Sequence, residues 1–260
     1  MLAKLMKYEL KATSRYFLPL FGLIVALALI NRLLQLFIDF TQSDATATIG
    51  VLMSSIAGML FSAIMVVVLV ITIQRFNKNL LQNEGYLSFT LPVTVESLIL
   101  SKLFISSLWY CASIIVLVIS LLIAFSSIIP FVDIANAFST VFTTWFASGQ
   151  NILIGVEIII ATVLGAFSST LLIYTCLSLG MLVNNHRGLM AFGMYFGIST
   201  VMQFLVVFLV PLMIWINTLN WSPFALSQWY LLLMIGTSLV QCAVYFATTR
   251  YMLRHRLNLL

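Results

Sequence analysis

The chain has 260 residues, of which 62% are apolar and 7% charged, where soluble domains carry about 45–50% and about 25%. A mean hydropathy of +1.14 leaves too little polar surface to cover a water-soluble globule, and 20 Phe exclude a disordered chain. The net charge of +5 is thinly spread, which points to Lys and Arg retained on one side of a membrane and not to a nucleic-acid partner.

At the amino terminus Lys4, Lys7, Lys11 and Arg15 recur at spacings of three and four, so they share one helical stripe. Leu2, Leu5, Met6 and Leu10 take the other faces. Residues 1–16 are expected to form an amphipathic interfacial helix on the inner leaflet, its cations among anionic lipid headgroups.

A spanning helix needs about 20 mostly apolar residues. Six stretches supply them: 17–37, 49–73, 103–125, 152–181, 189–215 and 229–249. The first is expected to stay as an anchor and not to be cleaved, because Asn31 and Arg32 stand where small residues would be needed. The fourth is long for a single crossing and is expected to tilt or to project. With alternating spans, eleven of the 12 basic residues fall on one face and Arg32 alone on the other, beside Asp39, Asp44 and Asp133. Both termini are therefore expected in the cytoplasm. Trp145, Trp215, Trp221 and Trp229 then map to the outer interface. The expected fold is one all-α polytopic membrane domain over 1–260.

No G-x-x-x-x-G-K-[ST] phosphate loop is present, since no Lys follows a Gly. There is no H-E-x-x-H, and His186 and His255 lie far apart. There is no G-x-S-x-G elbow, and Cys111, Cys176 and Cys242 sit in apolar runs without metal-type spacing. No catalytic residue, bound metal or cofactor is expected, so the chain does not read as an enzyme. Glu157 is the exception inside the spans. Charge at membrane depth costs at least ~2.5 kcal/mol, so it is either a proton or substrate contact or a residue near enough to Gln150 and Asn151 to reach outer interfacial water. Gly193 and Gly197 form G-x-x-x-G in the fifth span, a spacing that suits internal helix packing or an interface between two chains. The outer segment 126–150 has apolar residues around Pro130 and again at Val141, Phe142, Trp145 and Phe146. It suits a short amphipathic helix on the outer leaflet.

The connection 74–102 is neither short nor very polar. Leu80, Leu81, Tyr86, Leu87, Phe89 and Leu91 would be apolar residues in a water-facing loop, a pattern that marks a protein contact. Gly85 and Pro92 bracket one or two helical turns. The alternative is a stretch packed on the chain's own helices.

The string E-G-Y-L-x-x-T-L-P at 84–92, the KYELKAT start at 7–13, the six spans and the RLNLL tail at 256–260 together resemble the small six-span permeases of bacterial ABC-2 type exporters. These serve bacitracin, lantibiotic and similar peptide export or immunity systems. The resemblance implies that Glu84, Gly85, Tyr86, Thr90, Leu91 and Pro92 form a cytoplasmic coupling helix that docks on a separate ATP-binding subunit. That subunit, in two copies, would hold ATP and Mg. A second permease chain, identical or homologous, would complete the path, with lipid as the other partner. The implied location is the bacterial cytoplasmic membrane. The implied function is export of a hydrophobic or amphipathic peptide or antibiotic. The alternative is a non-transporting assembly or sensor subunit of a peptide-resistance complex.

Overall fold

The computed structural model describes residues 2–37, 66–81, 93–124, 131–183, 186–217 and 221–255, together with Ser55, Gly58, Met59 and Ser62. Among these residues every regular element is a helix, without a strand. The elements are α1 (Leu2–Phe37), α2 (Val66–Phe76), α3 (Val95–Ala124), α4 (Phe131–Phe146), α5 (Gly149–Gly180), α6 (Arg187–Asn217) and α7 (Pro223–His255). A π-helical turn, Asn77–Leu81, prolongs α2.

Local chemistry sets several helix starts. The hydroxyls of Thr94, Ser148 and Ser222 accept hydrogen bonds from the main-chain N–H groups of Ser97, Asn151 and Ala225 at 3.3, 3.3 and 3.2 Å. Each satisfies one of the orphan donors of a first turn. Pro223 follows its cap directly, at the one helical position where a missing N–H costs nothing.

Five helices are long and apolar enough to cross a bilayer: most of α1, then α3, α5, the first 22 residues of α6, and α7. The chain is thus consistent with a polytopic membrane protein. Its surface is the inverse of a soluble protein's, with Phe192, Phe196, Phe204 and Phe208 of α6 all exposed. Most of the stretch 49–73 lies outside the described residues; its last part is the start of α2.

Two expectations are corrected. The segment 1–16 and the first apolar stretch are not two elements, because α1 runs without a break for 36 residues. At about 1.5 Å per residue it is about 54 Å long, well beyond the ~30 Å of a hydrocarbon core. Much of the connection 74–102 is also helix: α2 and its π turn reach Leu81, and α3 starts at Val95. Leu80 and Leu81 are accordingly not loop residues facing water but fully buried ones. The outer segment does contain a helix, α4, which is amphipathic as its sequence suggested.

The helices pack as two pairs, α1 with α3 and α5 with α7, joined where α3 meets α5. α6 lies against α5. Small hydroxyl residues line these contacts, as at Ser107 and Thr170, whose oxygens are 3.2 Å apart, and they let helix backbones approach closely. The beginnings of α1 and α3 and the ends of α2, α5 and α7 all meet at one end of the bundle. Lys4, Lys7, Lys11, Arg15, Arg75, Lys78, Lys102, Arg250 and Arg254 lie in these same segments, so this is the basic end.

Candidate functional site

The most elaborate side-chain arrangement among the described residues is at the basic end, around the two stems of the connection between α2 and α3. The outgoing stem is the last turn of α2. The Arg75 guanidinium donates Nη2–H to the carbonyl oxygen of Ala12 on α1 at 2.5 Å, and it lies over the Tyr16 ring, 5.4 Å from the centroid. One residue on, Phe76 stacks on Tyr174 of α5, with centroids 3.9 Å apart and planes at 12°.

The returning stem is the start of α3. Lys102 Nζ forms an ion pair with Glu9 Oε1 of α1. The two side chains are only 9% and 15% exposed, so the pair is partly desolvated. Two turns further along, Trp109 donates its indole N–H to the Thr13 hydroxyl at 2.7 Å and stacks on Phe17 at 4.8 Å. Thr13 in turn donates to the main-chain carbonyl of Glu9 at 2.7 Å. At the very start of α3, Glu96 pairs with Arg250 of α7 at 2.5 Å. Both of those side chains are more than 40% exposed, and an exposed pair of this kind contributes at most about 1 kcal/mol.

Beneath this polar layer lies the largest core of the molecule. Phe76, Leu80 and Leu81 meet Leu98, Ile99 and Leu103 of α3, Leu171 and Tyr174 of α5, and Tyr245 and Leu253 of α7. The Tyr174 hydroxyl meets the Ser106 hydroxyl at 2.8 Å. The space left among Glu9, Thr13, Arg75, Lys102 and Tyr174 is a cavity of about 10 Å³, room for about one water. The cluster is closely packed. It joins helices and holds both stems on one turn of α1.

No group of three His, Cys, Asp or Glu side chains that could hold a metal occurs among the described residues. Two wider openings are shallow and apolar. One of about 430 Å³ lies between α4 and α5, lined by Val141, Trp145 and Ile154 among others. The other, about 320 Å³, lies between α6 and α7 around Met202, Val206 and Val240.

The site residues expected from the sequence are placed as follows. Glu84, Gly85, Tyr86, Thr90, Leu91 and Pro92 lie outside the described residues. Lys4, Lys7, Lys11 and Arg15 are exposed on α1. Gly193 and Gly197 are exposed on α6, with nothing within 4 Å of where a Cβ would stand. Glu157 is on α5, and its Oε2 is buried with no hydrogen-bond partner among the described residues. Glu9, Thr13, Trp109 and Tyr174 were not anticipated. A signal for two of them existed: Glu9, Thr13 and Phe17 recur every four residues on a face that the Lys stripe does not use.

Comparison with protein-family models, with curated proteins and with solved structures finds no match.

Proposed function

We propose that this chain is the membrane-spanning permease subunit of an ATP-driven ABC-2 type exporter, with six spans, both termini in the cytoplasm and a hydrophobic or amphipathic peptide-like cargo. The observation that carries the reading is the way both stems of the 82–92 segment are built into the bundle. Arg75 and Lys102 reach one turn of α1, Phe76 stacks on α5, and Glu96 pairs with α7. A force applied to that segment is delivered to α1, α5 and α7 at once. Such anchoring suits a lever and is wasted on a passive loop.

Three further points support the proposal. The basic end gathers the cations expected on a cytoplasmic face. The chain has no phosphate loop of its own, so a separate ATP-binding subunit would supply the energy, with ATP and Mg bound there. The openings in the bundle are apolar, which suits a lipid-soluble cargo better than an ion or a sugar. In this reading Glu84, Gly85, Tyr86, Thr90, Leu91 and Pro92 make the contact with the ATPase, and a second permease chain completes the path.

The test is co-expression with a candidate ABC ATPase from the same source, purification through a tag on the chain, and assay in lipid nanodiscs. Hydrolysis that depends on the chain, and that drops when Tyr86 and Leu91 are both replaced by Ala, is the expected result. The reading is overturned if no ATPase associates, or if the double variant stimulates hydrolysis as well as the parent.

A further inference from the structure

We infer that the turn Glu9–Thr13 of α1 is a mechanical joint that makes the basic end of α1 move as one body with both stems of the α2–α3 connection. The joint is read from contacts alone; what would drive it rests on the transport proposal.

The two stems leave the bundle from different helices, yet their anchors on α1 are three residues apart. Arg75 holds the Ala12 carbonyl and Lys102 holds the Glu9 carboxylate. The two contacts differ in kind. The Arg75 bond goes to main chain and survives any change of the Ala12 side chain. The Lys102 bond is an ion pair of two side chains that are mostly buried. The space between them is small, about 10 Å³, room for about one water. Parting the pair gives up the attraction between two mostly buried charges, so a displaced stem carries α1 with it.

The surrounding contacts reinforce the joint. Thr13 ties the Glu9 carbonyl to the Trp109 indole, and Phe17 stacks on the same indole. The Glu9 turn is thus gripped from α3 at two heights. Because energetic coupling is reciprocal, a perturbation made on α3 must appear on α1 and the reverse.

That reciprocity is the test. Hydrogen–deuterium exchange is measured on the full chain in lipid nanodiscs, for the parent and for Lys102→Met, Glu9→Gln and Glu96→Gln. Lys102→Met, a change on α3, is expected to speed exchange about tenfold in residues 5–14 of α1 as well as at its own site. Glu9→Gln, a change on α1, is expected to do the same in 74–81 and 95–105. Glu96→Gln breaks a pair to α7 and should leave 5–14 unchanged. The inference is overturned if either of the first two variants affects only its own helix, or if Glu96→Gln softens α1 equally. Should Glu9→Gln fail to fold, Glu9→Asp, one methylene shorter, takes its place with the same criteria. No ATPase enters this experiment, so the joint and the transport proposal fail separately.

Discussion

The hydroxyls of Thr175 and Thr249 meet at 3.1 Å between α5 and α7, and Thr175 also lies 3.1 Å from the Tyr245 carbonyl. Both side chains are buried, Thr249 completely. Between two helices surrounded by lipid there is little hydrophobic gain from contact, so interhelical hydrogen bonds and close packing supply the attraction. Replacing each Thr by Val keeps the shape and removes the hydroxyl. A double-mutant cycle on Thr175→Val and Thr249→Val should return a coupling of about 0.6 kcal/mol and no more than about 1.7 kcal/mol. The measurement is unfolding in mixed detergent micelles. Strict additivity would show that the two oxygens are merely adjacent.

Gly155 and Trp145 give a steric prediction. A Cβ at Gly155 would stand 1.8 Å from the Trp145 indole nitrogen, so the indole of α4 occupies the space that glycine leaves on α5. Gly155→Ala should push the ring out and loosen α4, at a cost of about 1–3 kcal/mol. Faster amide exchange across 131–146, restored when Trp145→Ala is added, is the expected signature. Unchanged exchange in the single variant would mean that the ring turns aside at no cost.

Gly180 differs from Gly193 and Gly197 in a way that sequence could not separate. A Cβ at Gly180 would lie 2.8 Å from the main-chain oxygen of Arg187 and 2.9 Å from the Ala191 Cβ, so α5 and α6 approach closely there. Gly180→Ala should therefore destabilise the chain by about 1–3 kcal/mol. Gly193→Leu with Gly197→Leu should change its stability by no more than about 0.5 kcal/mol, because among the described residues nothing faces them. Under the transport proposal the same pair of changes should weaken self-association, read by cross-linking in nanodiscs.

Helix class and placement were largely legible because a bilayer asks only for apolar length, and 152–181 or 229–249 satisfy that by composition. The helical ends were less legible. Leu80 and Leu81 looked like apolar loop residues, since sequence does not say that a helix may run on through a π turn into the core. Arg75 and Lys102 were read as orientation charges alone. Their partners are a main-chain carbonyl and a Glu about a hundred positions away, and neither carries a local periodic signal. Glu9 was hidden by its neighbours, because a single acid among lysines reads as part of a solvated face until the helix phase is followed to Thr13 and Phe17.

Phe76 and Tyr174 test whether the outgoing stem matters to the fold. Their rings stack within the main core, and Phe76 is 1% exposed. Phe76→Ala should cost about 3–5 kcal/mol, the range for emptying an aromatic site. Tyr174→Phe keeps the ring and loses only the contact with the Ser106 hydroxyl, so about 0.5–1.5 kcal/mol is expected. Thermal unfolding of both variants in one detergent gives the ratio. Equal losses would move the weight from stacking to the hydroxyl pair.

Glu157 yields the last prediction. Its Oε2 is buried and makes no hydrogen bond among the described residues. It precedes Thr175 by 18 residues, about five whole turns at about 3.6 residues each. Glu157 and Thr175 therefore share the face of α5 that meets α7. A carboxyl group held there contributes nothing to packing that an amide of the same shape would not. Glu157→Gln should therefore unfold no more easily than the parent. The functional question separates cleanly from the structural one. If Glu157 touches a proton or a cationic cargo, the Gln variant keeps its stability and loses transport in reconstituted vesicles. If stability and transport are both retained, the residue is a tolerated polar group and no more.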